Sequence, residues 1–488
     1  SQPNGKADDL NQDDTVSKEV QGCSFTLKGT YVVGNSTSAD MTFDRAFQVL
    51  SKCGMSGPVI LKMEPGTYKA YVDLTNVVGM TASTPLTITS TTGDSSDVVI
   101  EGIIDDATFD IANTYHVTIS NITVKGFSGG AHSTAIRLLG NNKNLVIRGC
   151  HLDVPTMNST ATSDVAIYSN QNAMPDTVLY IIGNTFTGNG AIYLYGNNAK
   201  RSHDVRIDSN SILSPYYYAI FTYYYDIRSI NNNFIHKDAS ESSCQYGIYP
   251  LGTYGVANHA TTISNNRVHG SYYYSLYMTN CYSMGYTSQN INYPLLITNN
   301  EFIFSGSNSG YNFTFWNSGG YLIIANNTFI VPKGATRTYM MSMYTYNPGH
   351  FKFMNNNFVN YGSCTNIFYT NWSNQNTYMD VWDYNNYWIG NGQFNFNGAT
   401  SKTVAGFSSI LSNNRDANST EMDPKIIYDD SIAKPSQWAG LLCPMADSVY
   451  TDILGMQRST MTYKGCYSET FNLDAALLGF TEPAYESV

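Results

Sequence analysis

One group of charged residues stands out in this chain. Asp204, Arg206 and Asp208 lie six, four and two residues before Asn210, and Asp226 and Arg228 lie six and four before Asn232. His203 adjoins the first group. Alternate residues of a strand share a face, so Val205, Ile207 and Ile227 point into a core and the charges point out. If the two segments stack, Asp204 lies over Asp226 and Arg206 over Arg228, about 4.8 Å apart. Two carboxylates with separated pKa values can hydrolyse a glycosidic bond. An arginine flanked by carboxylates can serve a lyase, given help in losing its proton. The competing reading is an ion-pair ladder that fixes strand register.

A second group is aromatic. The chain holds 39 tyrosines in 488 residues. They run together as Tyr216, Tyr217 and Tyr218, as Tyr223, Tyr224 and Tyr225, and as Tyr272, Tyr273 and Tyr274, with Tyr277, Tyr282 and Tyr286 close behind. Alternation sends at least one ring of each run outward. Outward rings on successive layers form a flat amphipathic strip on which sugars stack and hydrogen-bond. The competing reading is that the rings pack under loops. His203 is counted with the tyrosines as a sugar contact.

Other chemistry is poorly represented. There is no G-x-S-x-G, H-E-x-x-H, P-loop or dinucleotide glycine fingerprint. Asp105 with Asp106, and Asp429 with Asp430, read as solvated turns; they leave room for calcium without requiring it, and no other metal or cofactor is expected. The net charge is −11 with no basic run, which argues against nucleic acid as a partner. No apolar stretch reaches the roughly 18–20 residues of a membrane span. Charged residues are 13%, about half the usual share, so the surface is built from Asn, Ser, Thr and Tyr.

The elements that position these groups follow from a repeated phrase: an apolar strand, an asparagine, one residue, then an apolar or aromatic residue. It recurs at Asn184, Asn210, Asn232, Asn266, Asn300, Asn327, Asn356 and Asn385, at steps of 22 to 34 residues. That spacing is the mark of a solenoid. The units are rich in β-branched and aromatic residues and carry no helical pattern, so each is expected to be one coil of three short strands. The asparagines read as corners, tolerant of the left-handed region and able to bond from coil to coil. About ten or more coils follow. Asp40 to Cys53 predicts an amphipathic helix, with Thr42 or Asp40 as cap and Gly54 as stop, that closes the N-terminal end of the core. Ahead of Asn300 and Asn327 the outward places become Pro294, Leu296, Tyr321 and Ile323. Such a patch should be covered by a loop, the C-terminal tail or a partner.

The chain thus divides into a polar tether (1–22), a cap with the first strands (23–75), the β-helix (76–390) and an irregular C-terminal cap (391–488). Ser1, where an initiating Met would stand, and the polar tether suggest an exported protein, held at a surface through a lipid anchor if at all. Of eight cysteines, Cys23 with Cys53 and Cys443 with Cys466 are the expected disulfides; Cys150, Cys244, Cys281 and Cys364 read as free and buried.

Gly29-Thr-Tyr-Val-Val-Gly34, Ser56-Gly-Pro-Val59, Glu64-Pro-Gly-Thr-Tyr68 and Pro85-Leu-Thr-Ile-Thr-Ser90 resemble an opening common in exported bacterial β-helix proteins. The tail, Asp423-Pro-Lys-Ile426 and Asp452-Ile-Leu-Gly-Met-Gln-Arg458, is similar to theirs. The middle resembles the repeat of the pectin-lyase-like superfamily. The resemblance implies an all-β, right-handed parallel β-helix. That superfamily holds lyases, hydrolases, esterases, tailspikes and adhesins, so fold alone selects none of them. The matched motifs are structural, and no catalytic residue carries over. The leading expectation is a surface protein that binds polysaccharide along its tyrosine-rich face; a lyase or hydrolase is the alternative, and a purely structural or adhesive protein the third.

Overall fold

The computed structural model describes residues 23, 25–130, 132–156, 160–161, 164–237, 244–283, 292–304, 311–344, 348–371, 379–411, 413, 415–429 and 432–469. They form a right-handed parallel β-helix of about 12 turns with two helices. One face is a 13-stranded parallel sheet running from Leu27–Val33 to Met379–Asp383. The other two faces join into a network of 24 strands. The three antiparallel strand pairs among the described residues all lie beyond residue 392. Parallel pairing itself continues through Gln393–Phe396.

Inside, like stacks on like. Ile136, Ile167, Ile192, Ile220, Ile248 and Leu276 form one column, continued by Phe313, Met341, Phe368 and Phe394. Each is fully or almost fully buried. Every second residue of these strands is therefore committed to the core, and its neighbours are free to carry chemistry outside.

The asparagines form a continuous buried ladder: Asn184, Asn210, Asn233, Asn266, Asn300, Asn327, Asn356 and Asn385. Each Oδ1 accepts from the backbone N and the Nδ2 of the asparagine one coil earlier, at 2.9–3.1 Å. The ladder starts at the Cys150 backbone N and ends at Ser419 and Asp416. This corrects the expected corners in two ways. The third rung is Asn233, not Asn232. And the left-handed residue is the one before each rung: Gly183, Ser209, Asn232, Asn265, Asn299, Asn326, Asn355 and Tyr384 all have φ between 56° and 64°. One residue turns the chain and the next staples the coils. In Asn231-Asn-Asn233 the sequence offers three identical side chains, so the pattern does not say which does which.

Helix α1 (Phe43–Lys52) covers the N-terminal end with Phe43, Ala46, Phe47, Val49 and Leu50, and Thr42 Oγ1 caps it by accepting from Arg45 N. Gly54 ends it at φ +77°, where a Cβ would lie 2.1 Å from the Val78 carbonyl oxygen. The Cys23–Cys53 disulfide ties the chain to this end. Cys443 and Cys466, expected as a second disulfide, are free and buried instead. Cys443 faces Thr462 across a hairpin, which leaves Cys466 four residues out of place. The other four cysteines are free and buried, as expected.

Helix α2 (Val404–Leu411) closes the far end, with Phe407 stacked on Phe394 at 4.2 Å. Residues 415–429 and 432–469 then run back along the rod. The turn asparagines hold them: Asn299 donates to Thr451 O, Asn326 to Tyr463 O and Asn355 to Pro444 O, while Arg458 donates to Asn299 Oδ1. Ala446 and Val449 cover the apolar patch of Leu296, Tyr321 and Ile323.

Candidate functional site

The charged group does not stack as its spacing predicts. Asp204 is a left-handed bulge (φ 56°) in line with His116, Asn144 and Val178 on the preceding coils. The next coil lacks that bulge. Ser202 pairs with Tyr225, Val205 with Ile227 and Arg206 with Ser229, and Arg228 is the extra residue instead. Asp204 therefore has no carboxylate above it. It meets Arg228 at 3.3 Å and Arg206 at 3.8 Å, and Arg206 lies over the Tyr180 ring. Asp208 turns to Ser229 Oγ and Asn231 N, and burial raises its pKa.

Asp226 belongs to a different cluster, at the corner between two faces. It is almost fully buried. It accepts from Arg201 Nε and Nη2, Tyr254 N and His203 Nδ1, the last at 2.9 Å. Arg201 packs over the Tyr254 and Tyr224 rings. The His203 side chain is 58% exposed. The result is an imidazole oriented by a buried carboxylate whose charge an arginine balances. Beneath it, inside the coil, Tyr225 OH reaches Ser169 and Asp176. Burial pushes the Asp176 carboxyl up to about 6. Tyr225, expected as a sugar contact, is thus a core residue: the run Tyr223-Tyr-Tyr225 turns the corner at Tyr224 (φ 58°), so its third ring swings inward.

The tyrosines assemble into three outward rows along one face. The middle row is Tyr168, Tyr193, Phe221, Tyr249, Tyr277, Thr314, Ser342 and Tyr369. Beside it stand Tyr218, Tyr246 and Tyr274, and on the other side Tyr195, Tyr223, Leu251, Thr279, Trp316 and Tyr344. Of the expected residues, Tyr218, Tyr223, Tyr274 and Tyr277 lie in these rows. Tyr217 packs on Tyr218 and Tyr246, Tyr224 stacks on Tyr223 at the corner, Tyr216 lies under Lys237, and Tyr273 is half-buried. The Tyr272 side chain and Tyr286 lie outside the described part.

The rings do not lie flat. Tyr193 and Phe221 are 4.6 Å apart at 14°, Tyr246 and Tyr274 5.3 Å at 10°, and Tyr274 and Tyr277 4.5 Å at 18°. Their faces are turned to one another, so solvent meets ring edges and hydroxyls. Trp316 is the more open ring, at 44% exposure. Sequence reasoning missed most of these rows, although the signal was there: Tyr218, Tyr246 and Tyr274, and Phe221, Tyr249 and Tyr277, each recur every 28 residues.

At the N-terminal end of the middle row the same places hold Asp73, Asp110 and Arg137. Arg137 pairs with Asp110 at 2.7 Å and with Asp106, and Tyr71 OH donates to Asp110. Asp106 is thus an ion-pair partner rather than a solvated turn residue. Asp105 accepts from His132 N, Asp429 lies at the end of a strand, and Asp430 lies outside the described residues. No group of three or more His, Cys, Asp or Glu suited to a metal occurs among the described residues.

No protein-family model matches the chain, and no curated protein does. Solved structures similar to it include a pectin methylesterase from Aspergillus niger (13% identity, 69% of this chain and 86% of that one, TM-score 0.29), the Dettilon tailspike protein (12%, 72% and 64%, 0.37) and the A-module of a mannuronan C-5 epimerase from Azotobacter vinelandii (11%, 72% and 93%, 0.31).

Proposed function

We propose that this is an exported β-helix protein that binds a polysaccharide along its three tyrosine rows. The observation that carries the reading is the rows themselves. A solenoid gains its stability from the inward column, and the outward places need only be soluble. Here they carry phenols instead, buried at Tyr193 and Tyr218 and half-buried at Tyr168, Tyr246, Tyr249 and Tyr277, side by side over several coils. Each phenol both donates and accepts a hydrogen bond, and each ring edge offers an apolar surface beside it. Sugar rings present the same alternation of hydroxyl and C–H. Export is supported by the Cys23–Cys53 disulfide, since such bonds persist in oxidising compartments. A glycan array probed with the whole protein tests the reading. Tyr246→Ala with Tyr249→Ala should weaken binding at least about tenfold; an array without a hit for folded protein removes it.

A polysaccharide lyase or glycoside hydrolase is the second reading, favoured by the exposed His203 ring on the buried Asp226. With Nδ1 held by the carboxylate, the other ring nitrogen is suited to take a proton from a bound sugar. The site adjoins the rows through Tyr223 and Tyr224, whose hydroxyls are 2.7 Å apart. Asp204, Arg206, Arg228 and Asp208 serve in this reading as neighbours that set the local charge. Asp226→Asn or His203→Ala should abolish cleavage of any glycan that binds; unchanged turnover would clear both residues.

A further inference from the structure

We infer that the ligand of the tyrosine rows is a neutral glycan and that carboxylated or sulfated chains are excluded. This deepens the binding reading and rests on it. From Tyr168 to Tyr369 the middle row spans eight coils, roughly 34 Å. Over that length the three rows contain no Lys, Arg, His, Asp or Glu. The phenols do not supply charge either, because burial raises the pKa of Tyr168, Tyr218, Tyr246 and Tyr249 and keeps them protonated.

A polyuronate brings one carboxylate per sugar. Each one laid against half-buried rings loses hydration and finds no cation to replace it. Cations beside the rows are already engaged: Arg201 is held by Asp226, Arg137 by Asp106 and Asp110, and Lys237 is buried over the Tyr216 ring. The head of the middle row adds repulsion. Asp106 and Asp110 share the Arg137 guanidinium and Asp73 lies in register with Asp110, so these four residues carry a net charge of −2, on a chain whose net charge is −11. Neutral hydroxyls, in contrast, meet donors and acceptors of matching strength.

The test is calorimetric titration of the whole protein with linear neutral hexose polymers and with a linear polyuronate, at 20 mM and 200 mM salt. Neutral chains should bind with an affinity that salt changes less than about twofold, and the polyuronate should bind at least tenfold more weakly. Thr279→Lys, which sets a cation within the rows, should tighten polyuronate binding severalfold at low salt relative to the parent protein. Polyuronate binding equal to or tighter than neutral binding overturns the inference while the glycan reading survives. A lysine without effect on the polyuronate overturns it as well. Binding to neither class overturns the glycan reading itself.

Discussion

Two stacks run through eight coils of this rod, one inside and one outside, and they are built on opposite principles. The asparagine ladder repeats one side chain in eight coils, fully buried, with its amide groups satisfied by the rungs on either side. The tyrosine rows vary their residue from coil to coil and range from buried, as at Tyr193, Tyr218 and Phe221, to half-exposed, as at Tyr246, Tyr249 and Tyr277. A buried amide that loses its partner costs about 1–3 kcal/mol per orphaned group, so the ladder cannot vary. An outward phenol loses little when replaced, because water takes its place. The lesson is that identity kept from coil to coil marks the scaffold here, and chemistry is found where similar but unequal residues share a row.

Asn266 offers the sharpest way to break this contrast. Asn266→Ala removes the acceptor for Asn233 and the donor to Ile230 O and Asn300 Oδ1, and should cost on the order of 3 kcal/mol or more in urea denaturation. Its neighbour Asn265 only turns the chain (φ 57°), so Asn265→Gly should stay within about 1 kcal/mol of the parent. Equal losses would dissolve the division of labour between turn and rung.

The end of the ladder gives the next effect. Burial pushes the Asp416 carboxyl up to about 7 from an unfolded value of 3.8. The folded state therefore holds this proton more tightly. Its contribution to stability is complete below about pH 4 and is lost as pH rises through about 7. Asp176, raised to about 6, adds a decline of the same sign. Asp416→Asn should flatten the fall in denaturation midpoint between about pH 4 and pH 7 in part; an unchanged slope would show that the carboxyl does not titrate with folding.

A smaller effect on stability than at the Asn266 rung is expected in the rows. Tyr249→Ala breaks ring contacts with Phe221, Tyr246 and Tyr277 and should cost roughly 1–3 kcal/mol. The same variant should lose glycan affinity, whereas Asn265→Gly should keep it. A Tyr249→Ala protein with parent affinity would make the rows scaffold after all.

Much of the fold was legible from residues alone. The Asn-x-aromatic phrase gave the coil, the Phe43–Lys52 helix gave the closed end, and Leu296, Tyr321 and Ile323 announced a covering segment. Register was less legible, because it hangs on single residues. A bulge at Asp204 and an extra residue at Arg228 undid the carboxylate stack, and neither residue type announces a bulge. Arg201, which organises Asp226, stood outside the counted set since it precedes its strand. The phenol runs drew attention to consecutive tyrosines, yet the rows use tyrosines 28 residues apart, and the third member of one run, Tyr225, lies in the core.

Successive rungs of the ladder are separated by as few as 23 residues and as many as 33 or 34, yet the bonds between them keep the same length. One staple per turn is therefore enough to reset the phase of the chain. A segment running from one rung to the next can be duplicated or excised and the coils on either side still meet in register. Each such change lengthens or shortens the outer rows by one step of the rod, about 4.8 Å. The number of coils is then a ruler, and recombination between rungs sets how long the outer rows are without redesign of the core.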